Sequence, residues 1–291
     1  MIWLIGNKGM LGTELSYLLK ENNLQFIGTD KEIDITNLSE LKNFTSPHHI
    51  DWIINCAAYT AVDKAENDED ACRLLNAIGA ANIALTARTC GAKLIHISTD
   101  YVFNGNNNHP YKEEDPTCPI GVYGRTKRDG ENYVLKENPS SFIIRSAWLY
   151  GCYGNNFVNT MLRLMKEKET ISVVMDQRGN PTWAFNLSEV IITILRQINE
   201  GKKFPFGIYH YTNEETCTWF EFACSIYEYG KAFGILSKPC KIIPCSSTEY
   251  PSKVTRPAYS VLDKTKIKKI LNLDIPIWKD SLKIYLKKLG V

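Results

Sequence analysis

The sequence predicts an α/β fold: a Rossmann-type doubly wound parallel sheet with a smaller C-terminal lobe. Short apolar runs alternate with helical patterns over residues 1–150. A glycine-rich turn follows the first apolar run directly, and neither an internal repeat nor a low-complexity segment interrupts the alternation. Alternating β and α segments of this kind build a parallel sheet that helices cover on both faces.

The elements of the first half are predicted from hydrophobic periodicity. Leu11, Leu15, Leu18 and Leu19, for example, repeat at helical spacing. The same criterion predicts strands at residues 1–5, 25–29, 51–55, 93–98 and 141–146, and helices at residues 10–21, 38–44, 68–90 and 123–136. Residues 105–121, which are rich in Asn, Pro and Gly, are predicted to form a loop.

Beyond residue 150 the periodicity weakens. The pattern predicts helices, one strand, an irregular stretch and two closing amphipathic segments, in chain order at residues 156–168, 171–175 (strand), 186–200, 216–230, 238–257 (irregular), 263–271 and 279–289. We therefore divide the chain into a first domain of residues 1–150 and a smaller lobe of residues 151–291. The segment at about residues 170–200 is expected to rejoin the sheet of the first domain.

Composition narrows the class of protein. The 291 residues are 44% hydrophobic and 23% charged, and 34 basic against 32 acidic residues leave a net charge of +2. A general nucleic-acid binder normally has a clustered basic excess, so we predict no nucleic-acid partner. No apolar run approaches the ~20 residues that span a bilayer, so we predict no membrane partner. The nine scattered cysteines and the lack of a basic leader indicate reduced thiols in a cytoplasmic protein.

The first strand leads directly into a turn with glycines at positions 6, 9 and 12. Gly6 allows a tight turn, Gly9 lets the backbone approach a pyrophosphate, and Gly12 lets the helix pack against the sheet. The helix that follows offers free N–H groups and the positive end of its dipole to phosphates. We therefore predict that residues 1–150 bind a dinucleotide, with Lys8, Met10 and Leu11 of the turn contacting it.

An acidic residue at the end of the second strand typically binds the adenosine ribose. Asp30 is placed for that role, but the neighbouring Lys31 would attract a 2′-phosphate, so the sequence leaves NADH and NADPH both open. Asp34 and Ile35 are predicted to lie along the adenine. Asp34 has an equally good alternative as the cap of the helix that starts at Leu38.

Tyr123 and Lys127 are four residues apart on a predicted helix, and Thr99 closes a predicted strand. Residues at this spacing share a helix face. A lysine cation lowers the pKa of a neighbouring tyrosine from about 10, so that the pair can pass a proton to or from a substrate oxygen. Thr99 can hydrogen-bond the same oxygen, and Lys127 can also hold the nicotinamide ribose. We predict these three as the catalytic residues.

Together these motifs resemble the extended branch of the short-chain dehydrogenase/reductase superfamily and, within it, the dTDP-4-dehydrorhamnose reductase family. The Ser-Thr-Asp-Tyr-Val-Phe run at residues 98–103 is the most specific of them. The resemblance extends over residues 6–12, 55–66, 98–103, 123–127, 145–151, 154–157, 176–182 and 256–260. It implies NADPH- or NADH-dependent reduction of the C4 ketone of dTDP-4-dehydro-L-rhamnose to dTDP-L-rhamnose, the last step of dTDP-rhamnose synthesis for cell-surface polysaccharide.

The resemblance also implies site residues. Thr99, Tyr123 and Lys127 fall on the family's catalytic positions. The cofactor is expected to contact the end of the third strand at Ala57, Ala58 and Tyr59, although the family often has His at the last of these. The substrate positions are Thr99, Tyr101, Trp148, Asn156 and Arg256.

The expected substrate residues suit a sugar nucleotide chemically. Arg256 offers a planar fork for the diphosphate. Trp148 and Tyr101 offer flat apolar faces with polar edges for a deoxysugar. Asn76, in the long helix, is interpreted as either touching the site or having a solvated or capping role.

Some members of the family bind magnesium at a dimer contact through a carboxylate placed like Glu14. The resemblance therefore leaves a homodimer and a magnesium ion open for this chain. The residues themselves give no further support for a metal, so we predict none.

Two alternatives stay open. One is another nucleotide-sugar reductase, epimerase or dehydratase of the same fold, but dehydratases of this branch usually have Asp-Glu after the threonine, whereas Asp100 here is followed by Tyr101. The other is a non-catalytic regulatory subunit, like that of methionine adenosyltransferase, which resembles the same reductase family. The intact Thr99, Tyr123 and Lys127 set favours an enzyme.

Overall fold

The computed structural model describes residues 1–250 and 254–290. Its strands, in chain order, are β1 (Ile2–Ile5), β2 (Phe26–Thr29), β3 (Trp52–Asn55), β4 (Lys93–Thr99), β5 (Ser141–Ser146), β6 (Leu149–Tyr150), β7 (Thr170–Val174), β8 (Arg178–Gly179), β9 (Thr182–Trp183), β10 (Gly207–His210), β11 (Cys217–Thr218) and β12 (Lys241–Cys245).

The helices are α1 (Met10–Glu21), α2 (Leu38–Thr45), α3 (Val62–Ala65), α4 (Glu69–Arg73), α5 (Ala80–Cys90), α6 (Val122–Glu137), α7 (Phe157–Glu167), α8 (Ala184–Asn199), α9 (Trp219–Ala232), α10 (Thr265–Leu271) and α11 (Trp278–Leu289). A π-helical segment, Leu74–Gly79, joins α4 to α5, and a 3₁₀ turn, Asp100–Val102, follows β4.

Six parallel strands form the main sheet, in the order β2-β1-β3-β4-β5-β10. All residues of β1, β3 and β5 are buried, as expected for strands that helices cover on both faces. One face packs against α1, α8 and α10, and the other against α2, α5 and α6. The predicted Rossmann-type parallel sheet is therefore confirmed.

A third apolar core lies in the C-terminal lobe. It is formed mainly by α7, α9 and α11, with β7 along one side. Three two-stranded sheets, β7-β12, β8-β11 and β6-β9, complete this region. Such short sheets bury their apolar residues against helices, because two strands alone form no stable core.

The segment at about residues 170–200, which was expected to rejoin the first domain, contains two elements that pack in different places. Helix α8 packs against α1 in the first core, whereas β7 pairs with β12 and not with the main sheet. The sixth strand of the main sheet is β10, which the sequence analysis did not predict because Gly207 and its three successors give too short an apolar run. The division at residue 150 stays a prediction.

Two predicted elements differ from the structure. The helix predicted over residues 68–90 is continuous from Glu69 to Cys90 but contains the π-helical segment. The stretch predicted to be irregular contains β12, despite Pro244. Proline is tolerated there because β12 pairs with a partner on one side only, so the missing N–H breaks no second ladder. Residues 251–253 of that stretch lie outside the described residues.

All nine cysteines belong to the described part of the chain, and all are free thiols. Within residues 1–250 and 254–290, no helix has the length and apolar character to cross a bilayer.

Candidate active site

A cleft of about 870 Å³ opens at the carboxyl ends of β1 to β5. This edge is the point where the strand order reverses between β1 and β3, the usual ligand site of doubly wound sheets. Of the sequence-predicted residues, the cleft is lined by Gly6, Gly9, Met10, Leu11, Asp30, Asp34, Ile35, Ala57, Ala58, Thr99, Tyr101, Tyr123, Lys127 and Trp148. The other sequence-predicted residues do not line the cleft; they are Lys8, Gly12, Tyr59, Asn156 and Arg256.

The glycine-rich turn has the geometry that a pyrophosphate requires. Gly6 has φ +77°, a conformation that favours glycine, and a Cβ added at Gly12 would lie 2.0 Å from the Gly6 carbonyl oxygen. At Gly9 an added Cβ would meet only that oxygen, at 3.4 Å, so the side of Gly9 that faces the cleft is open. No side chain caps the N-terminus of α1. The turn therefore fits a dinucleotide phosphate, which would accept from the free N–H groups of the first helical turn.

The end of β2 carries opposite charges. Asp30 and Lys31 both line the cleft, while the Glu32 carboxylate accepts the Asp30 backbone N–H at 3.0 Å and pairs with Lys8 Nζ at 3.3 Å. Lys8 thus reaches the end of β2 instead of the cleft. The end of β2 thus offers a carboxylate and an ammonium group to the cleft.

Asp34 lies in the cleft and does not cap α2. The cap is Asn37, whose side chain accepts from the N–H groups of Ser39 and Glu40. Asp34 instead accepts from the backbone N–H and the hydroxyl of Thr36, at 2.9 and 2.8 Å. The capping interpretation of Asp34 is therefore wrong.

Asn76 holds the loop that follows β3 through hydrogen bonds to the backbone of that loop. It is buried in the π-helical segment, and its side chain accepts the Tyr59 N–H at 2.8 Å and donates to the Tyr59 carbonyl at 3.1 Å. These two hydrogen bonds hold the loop so that Ala57 and Ala58 line the cleft. The Tyr59 hydroxyl, in turn, donates to Asp68 at 3.2 Å. The solvated or capping interpretation of Asn76 is wrong, because its side chain is buried and hydrogen-bonded to the backbone of Tyr59.

The three predicted catalytic residues come together in the cleft. Thr99 ends β4, and its Oγ1 accepts the Tyr101 N–H at 3.2 Å and donates to Asp100 Oδ1 at 3.1 Å. The Tyr123 hydroxyl lies in hydrogen-bonding contact with Thr99. Lys127, one turn further along α6, donates from Nζ to the Ile97 carbonyl at 2.6 Å. The ring of Tyr101 meets that of Tyr123 edge to face at 5.6 Å.

The expected lowering of the Tyr123 pKa is not seen. Burial raises the pKa of Tyr123 well above its ordinary value of 10.0, and the contact with Thr99 offsets only part of the rise. Burial also lowers the pKa of Lys127 to about 8. Desolvation disfavours the charged form of both groups and is the largest cause of each shift. Tyr123 therefore keeps its proton at neutral pH, as a proton donor must.

An aromatic wall closes the other end of the cleft. Trp148 lines it with φ +47°, a rare conformation for a large side chain, and its ring stacks on Trp219 with centroids 3.5 Å apart and planes at 10°. A Cβ added at Gly179 would lie 2.6 Å from the Trp148 ring, so glycine is needed behind it. Trp219 is missing from the predicted site because its stacking depends on tertiary contacts between α9 and the chain after β5.

Asp100 also lines the cleft and was not predicted as a site residue. It is buried, and burial raises the pKa of its carboxyl to about 6, against hydrogen bonds from Ser260 and Thr99 that lower it. Its place in the Ser-Thr-Asp-Tyr-Val-Phe run was the available signal. Further lining residues that sequence reasoning missed are Ile5, Ile33, Cys56, Thr60, Val62, Leu75, Ile97, Ser98, Ser146, Ala147, Leu149, Gly154 and Asn155.

Two expected substrate residues lie outside the cleft wall. Arg256 pairs with Asp63 at 3.1 Å, and its charge acts on Tyr101, whose pKa burial raises to about 12. Arg256 is thus close to the cleft, at the rim. Asn156 caps α7, accepting the Asn159 N–H at 3.0 Å and donating to the Gly151 carbonyl at 2.8 Å.

Glu14, the position compared with a magnesium ligand, is buried on α1. Burial raises the pKa of its carboxyl, and the charge of Lys288 partly offsets the rise. Among the described residues, no group of three or more His, Cys, Asp or Glu side chains is arranged to hold a metal ion.

Comparison with known proteins places this site in a family. The family model described as the RmlD substrate binding domain matches residues 1–291. A dTDP-4-dehydrorhamnose reductase from Aggregatibacter actinomycetemcomitans is 38% identical over 280 residues, covering 96% of this chain and 95% of the relative. A probable dTDP-4,6-dihydroxy-2-methyloxan-3-one 4-ketoreductase from Streptomyces antibioticus is 41% identical over 266 residues, covering 90% and 86%.

A solved structure agrees with these relatives. The dTDP-4-dehydrorhamnose reductase of Bacillus anthracis, crystallised in complex with NADP, superposes with a TM-score of 0.91 at 38% identity and covers 99% of this chain and 98% of its own. The match runs through both the sheet and the C-terminal lobe. The chain therefore belongs to the RmlD substrate binding domain family.

Proposed function

We propose that this chain is a reductase that uses NADPH or NADH to convert the C4 ketone of dTDP-4-dehydro-L-rhamnose to the alcohol of dTDP-L-rhamnose. The meeting of Thr99, Tyr123 and Lys127 in one cleft with the glycine-rich turn carries this proposal. The relatives named for this reaction, and the similar structure that binds NADP, support it.

When bound, the reduced nicotinamide supplies a hydride to the carbonyl carbon. Tyr123 gives its phenol proton to the carbonyl oxygen, so the C=O bond becomes C–O–H and a tyrosinate remains. Thr99 would turn its hydroxyl proton from Asp100 to that oxygen, and the Lys127 ammonium stabilises the tyrosinate until solvent returns the proton. The raised pKa of Tyr123 suits this direction, since the phenol arrives at the reaction protonated.

The substrate residues divide by chemistry. Trp148, supported by Trp219, and Tyr101 offer flat faces on which the deoxysugar ring would lie. Arg256 at the rim would turn from Asp63 to the diphosphate, which offers it two charges and a geometry that matches its fork. Asn156 would act through the cap of α7, holding Gly154 and Asn155 at the cleft.

The cofactor residues follow the same logic. The turn from Gly6 to Gly12 would take the pyrophosphate, Asp30 or Lys31 the adenosine ribose, and Asp34 and Ile35 the adenine. Ala57 and Ala58 would lie along the cofactor beside the loop that Asn76 holds. A homodimer and a cytoplasmic location stay predictions.

The test is turnover of a panel of dTDP-4-ketosugars by the purified chain, following NADPH and NADH oxidation and identifying the product. We expect the rhamnose precursor to be reduced with the highest kcat/KM. The Streptomyces antibioticus relative favours one second candidate, another dTDP-4-ketosugar, which would be reduced faster if that reading is right. Turnover of none of the sugars, together with an effect on a partner synthetase, would overturn the proposal in favour of a regulatory subunit.

A further inference from the structure

A buried ion pair lies behind the catalytic helix, and no step described so far uses it. Glu131 on α6 and Arg145 on β5 are each 2% exposed, with Arg145 Nη2 and Glu131 Oε2 2.7 Å apart. Arg145 Nε donates to Glu131 Oε1 at 2.9 Å, and the Ser98 hydroxyl donates to the same oxygen at 2.5 Å. Three donors thus hold one carboxylate in a single orientation.

This carboxylate is placed toward Lys127. Glu131 follows Lys127 by four residues, so the two side chains share a face of α6. Lys127 Nζ bonds the carbonyl of Ile97, and Glu131 accepts from Ser98, the next residue of β4. The ammonium and the carboxylate therefore reach neighbouring residues of the same strand.

The other titratable groups around Lys127 carry no compensating charge at neutral pH. Burial raises the pKa of Cys56 to about 12, raises that of Cys72, and lowers that of His96 well below its ordinary value. The charge of Asp100 acts on Tyr123 and is not among those that shift the pKa of Lys127. Among the described groups that act on Lys127, Glu131 is the carboxylate, and its charge raises the Lys127 pKa against the lowering by burial.

We propose that Glu131 is a positioning residue for the reduction: held by Arg145 and Ser98, it keeps the buried Lys127 ammonium charged beside Tyr123. The inference rests on the proposed function and extends it to a residue that contacts neither cofactor nor substrate. The Arg145–Glu131 ion pair then has a role beyond stability, because it fixes the orientation of the carboxylate that stabilises the positive charge of Lys127.

The test compares two changes that separate charge from shape. Glu131→Gln keeps the size of the side chain and removes the charge, whereas Glu131→Asp keeps the charge and shortens the side chain. In the pH profile of kcat for ketone reduction, the high-pH limb is the decline of kcat as pH rises. This limb reports the titration of the coupled Lys127–Tyr123 pair. We expect Glu131→Gln to move that limb down by roughly one pH unit, and Glu131→Asp to move it by much less. Equal limbs in the parent and Glu131→Gln would overturn the proposal.

Two further variants keep the test decisive. Glu131→Gln combined with Arg145→Met leaves no buried guanidinium without its carboxylate, so it addresses failure of the single variant to fold, and its limb should also move down. Glu113→Gln is the matched control, since Glu113 bonds the His210 N–H on the other side of Arg145. It should leave the limb in place. If the network of Glu131, Arg145 and Ser98 were only structural, kcat or stability would fall in all the variants, and the high-pH limb would not shift.

A second readout separates this inference from the proposed function. The Lys127 amine can be titrated by NMR of its labelled ε carbon, as the difference between each variant and its Lys127→Met counterpart. The pKa of Lys127 should fall in Glu131→Gln, because removal of the neighbouring negative charge disfavours the ammonium. If the shift occurs without any reductase turnover, the proposed function fails and the inference on Glu131 survives; if turnover occurs without a shift, the reverse holds.

Discussion

The cofactor end and the substrate end of the cleft are built in different ways. At the cofactor end, the turn after β1, Asp30 after β2 and Ala57 after β3 each lie within a few residues of a strand's carboxyl end. At the substrate end, Trp148 depends on Trp219, about seventy residues along the chain, and Arg256 depends on Asp63. One end is built by backbone next to strands, and the other by side chains from distant segments.

This difference teaches what a substitution does at each end. Backbone that approaches a ligand closely is disturbed by added atoms, so the cofactor end should be sensitive to substitutions that fill space. A wall of side chains is disturbed by removed atoms, so the substrate end should be sensitive to truncation. Tyr123 lies where the two ends of the cleft meet, so a substitution there reports on both ends.

The largest expected effect is at that meeting point. Tyr123→Phe removes the proton donor and leaves the ring, so ketone reduction should fall by about 10²–10⁴-fold while NADPH binds as before. Turnover and fluorescence titration of NADPH measure the two quantities. Turnover close to that of the parent chain would remove Tyr123 from the mechanism.

The next effect separates two glycines of the same turn. Gly9→Val should fold, because Gly9 has φ −74° and an added Cβ meets only one atom, at 3.4 Å, yet it should weaken NADPH binding by about 100-fold by filling the phosphate space. Gly12→Val should instead lose the fold, since its Cβ would lie 2.0 Å from the Gly6 oxygen. Thermal unfolding and NADPH titration of both variants distinguish these outcomes, and unaltered binding by Gly9→Val would contradict the assignment of the turn.

A smaller effect is expected at the substrate end. Arg256→Ala should weaken binding of the dTDP-sugar by about 10-fold or more, through loss of charge-assisted hydrogen bonds, and leave NADPH binding unchanged. Asp63→Asn is the control, because it frees Arg256 from its partner and keeps the guanidinium. Calorimetric titration with dTDP-rhamnose measures both. Equal weakening of sugar and cofactor by Arg256→Ala would exclude a specific substrate role.

The smallest effect is a pH dependence that both ends share. The pKa of Lys127 is lowered from 10.5 to about 8, so its charge is present below that pH and is lost above it. Reduction should therefore fall by about fourfold between pH 7 and about 8.5, as the charged fraction of Lys127 falls by that factor. Stability should change in the opposite sense, because the unfolded chain holds this proton up to a higher pH and folding is favoured once the proton is gone. A rate that stays level up to pH 10 would contradict the charge of Lys127 as a requirement.

Sequence patterns predicted most of the residues that line the cleft at the ends of the strands, for a physical reason. Gly6, Gly9, Asp30, Thr99 and Ala57 lie at strand ends, and parallel strands bring their carboxyl ends to one edge whatever the rest of the chain does. The helical spacing of Tyr123 and Lys127 likewise sets their shared face before any tertiary contact. The parallel sheet and the meeting of Thr99, Tyr123 and Lys127 in one cleft were therefore accessible from the sequence by itself, while their catalytic roles stay predictions.

Only the tertiary structure decided the remainder. Three features join segments that no local pattern connects: the stacking of Trp148 on Trp219, the hydrogen bonds of Asn76 to Tyr59, and the pairing of β7 with β12. The raised pKa of Tyr123 belongs to the same class, because desolvation depends on what surrounds a group in space. Short-range periodicity determines which residues share a face or a strand end, whereas packing between distant segments determines their partners, their burial and their charge.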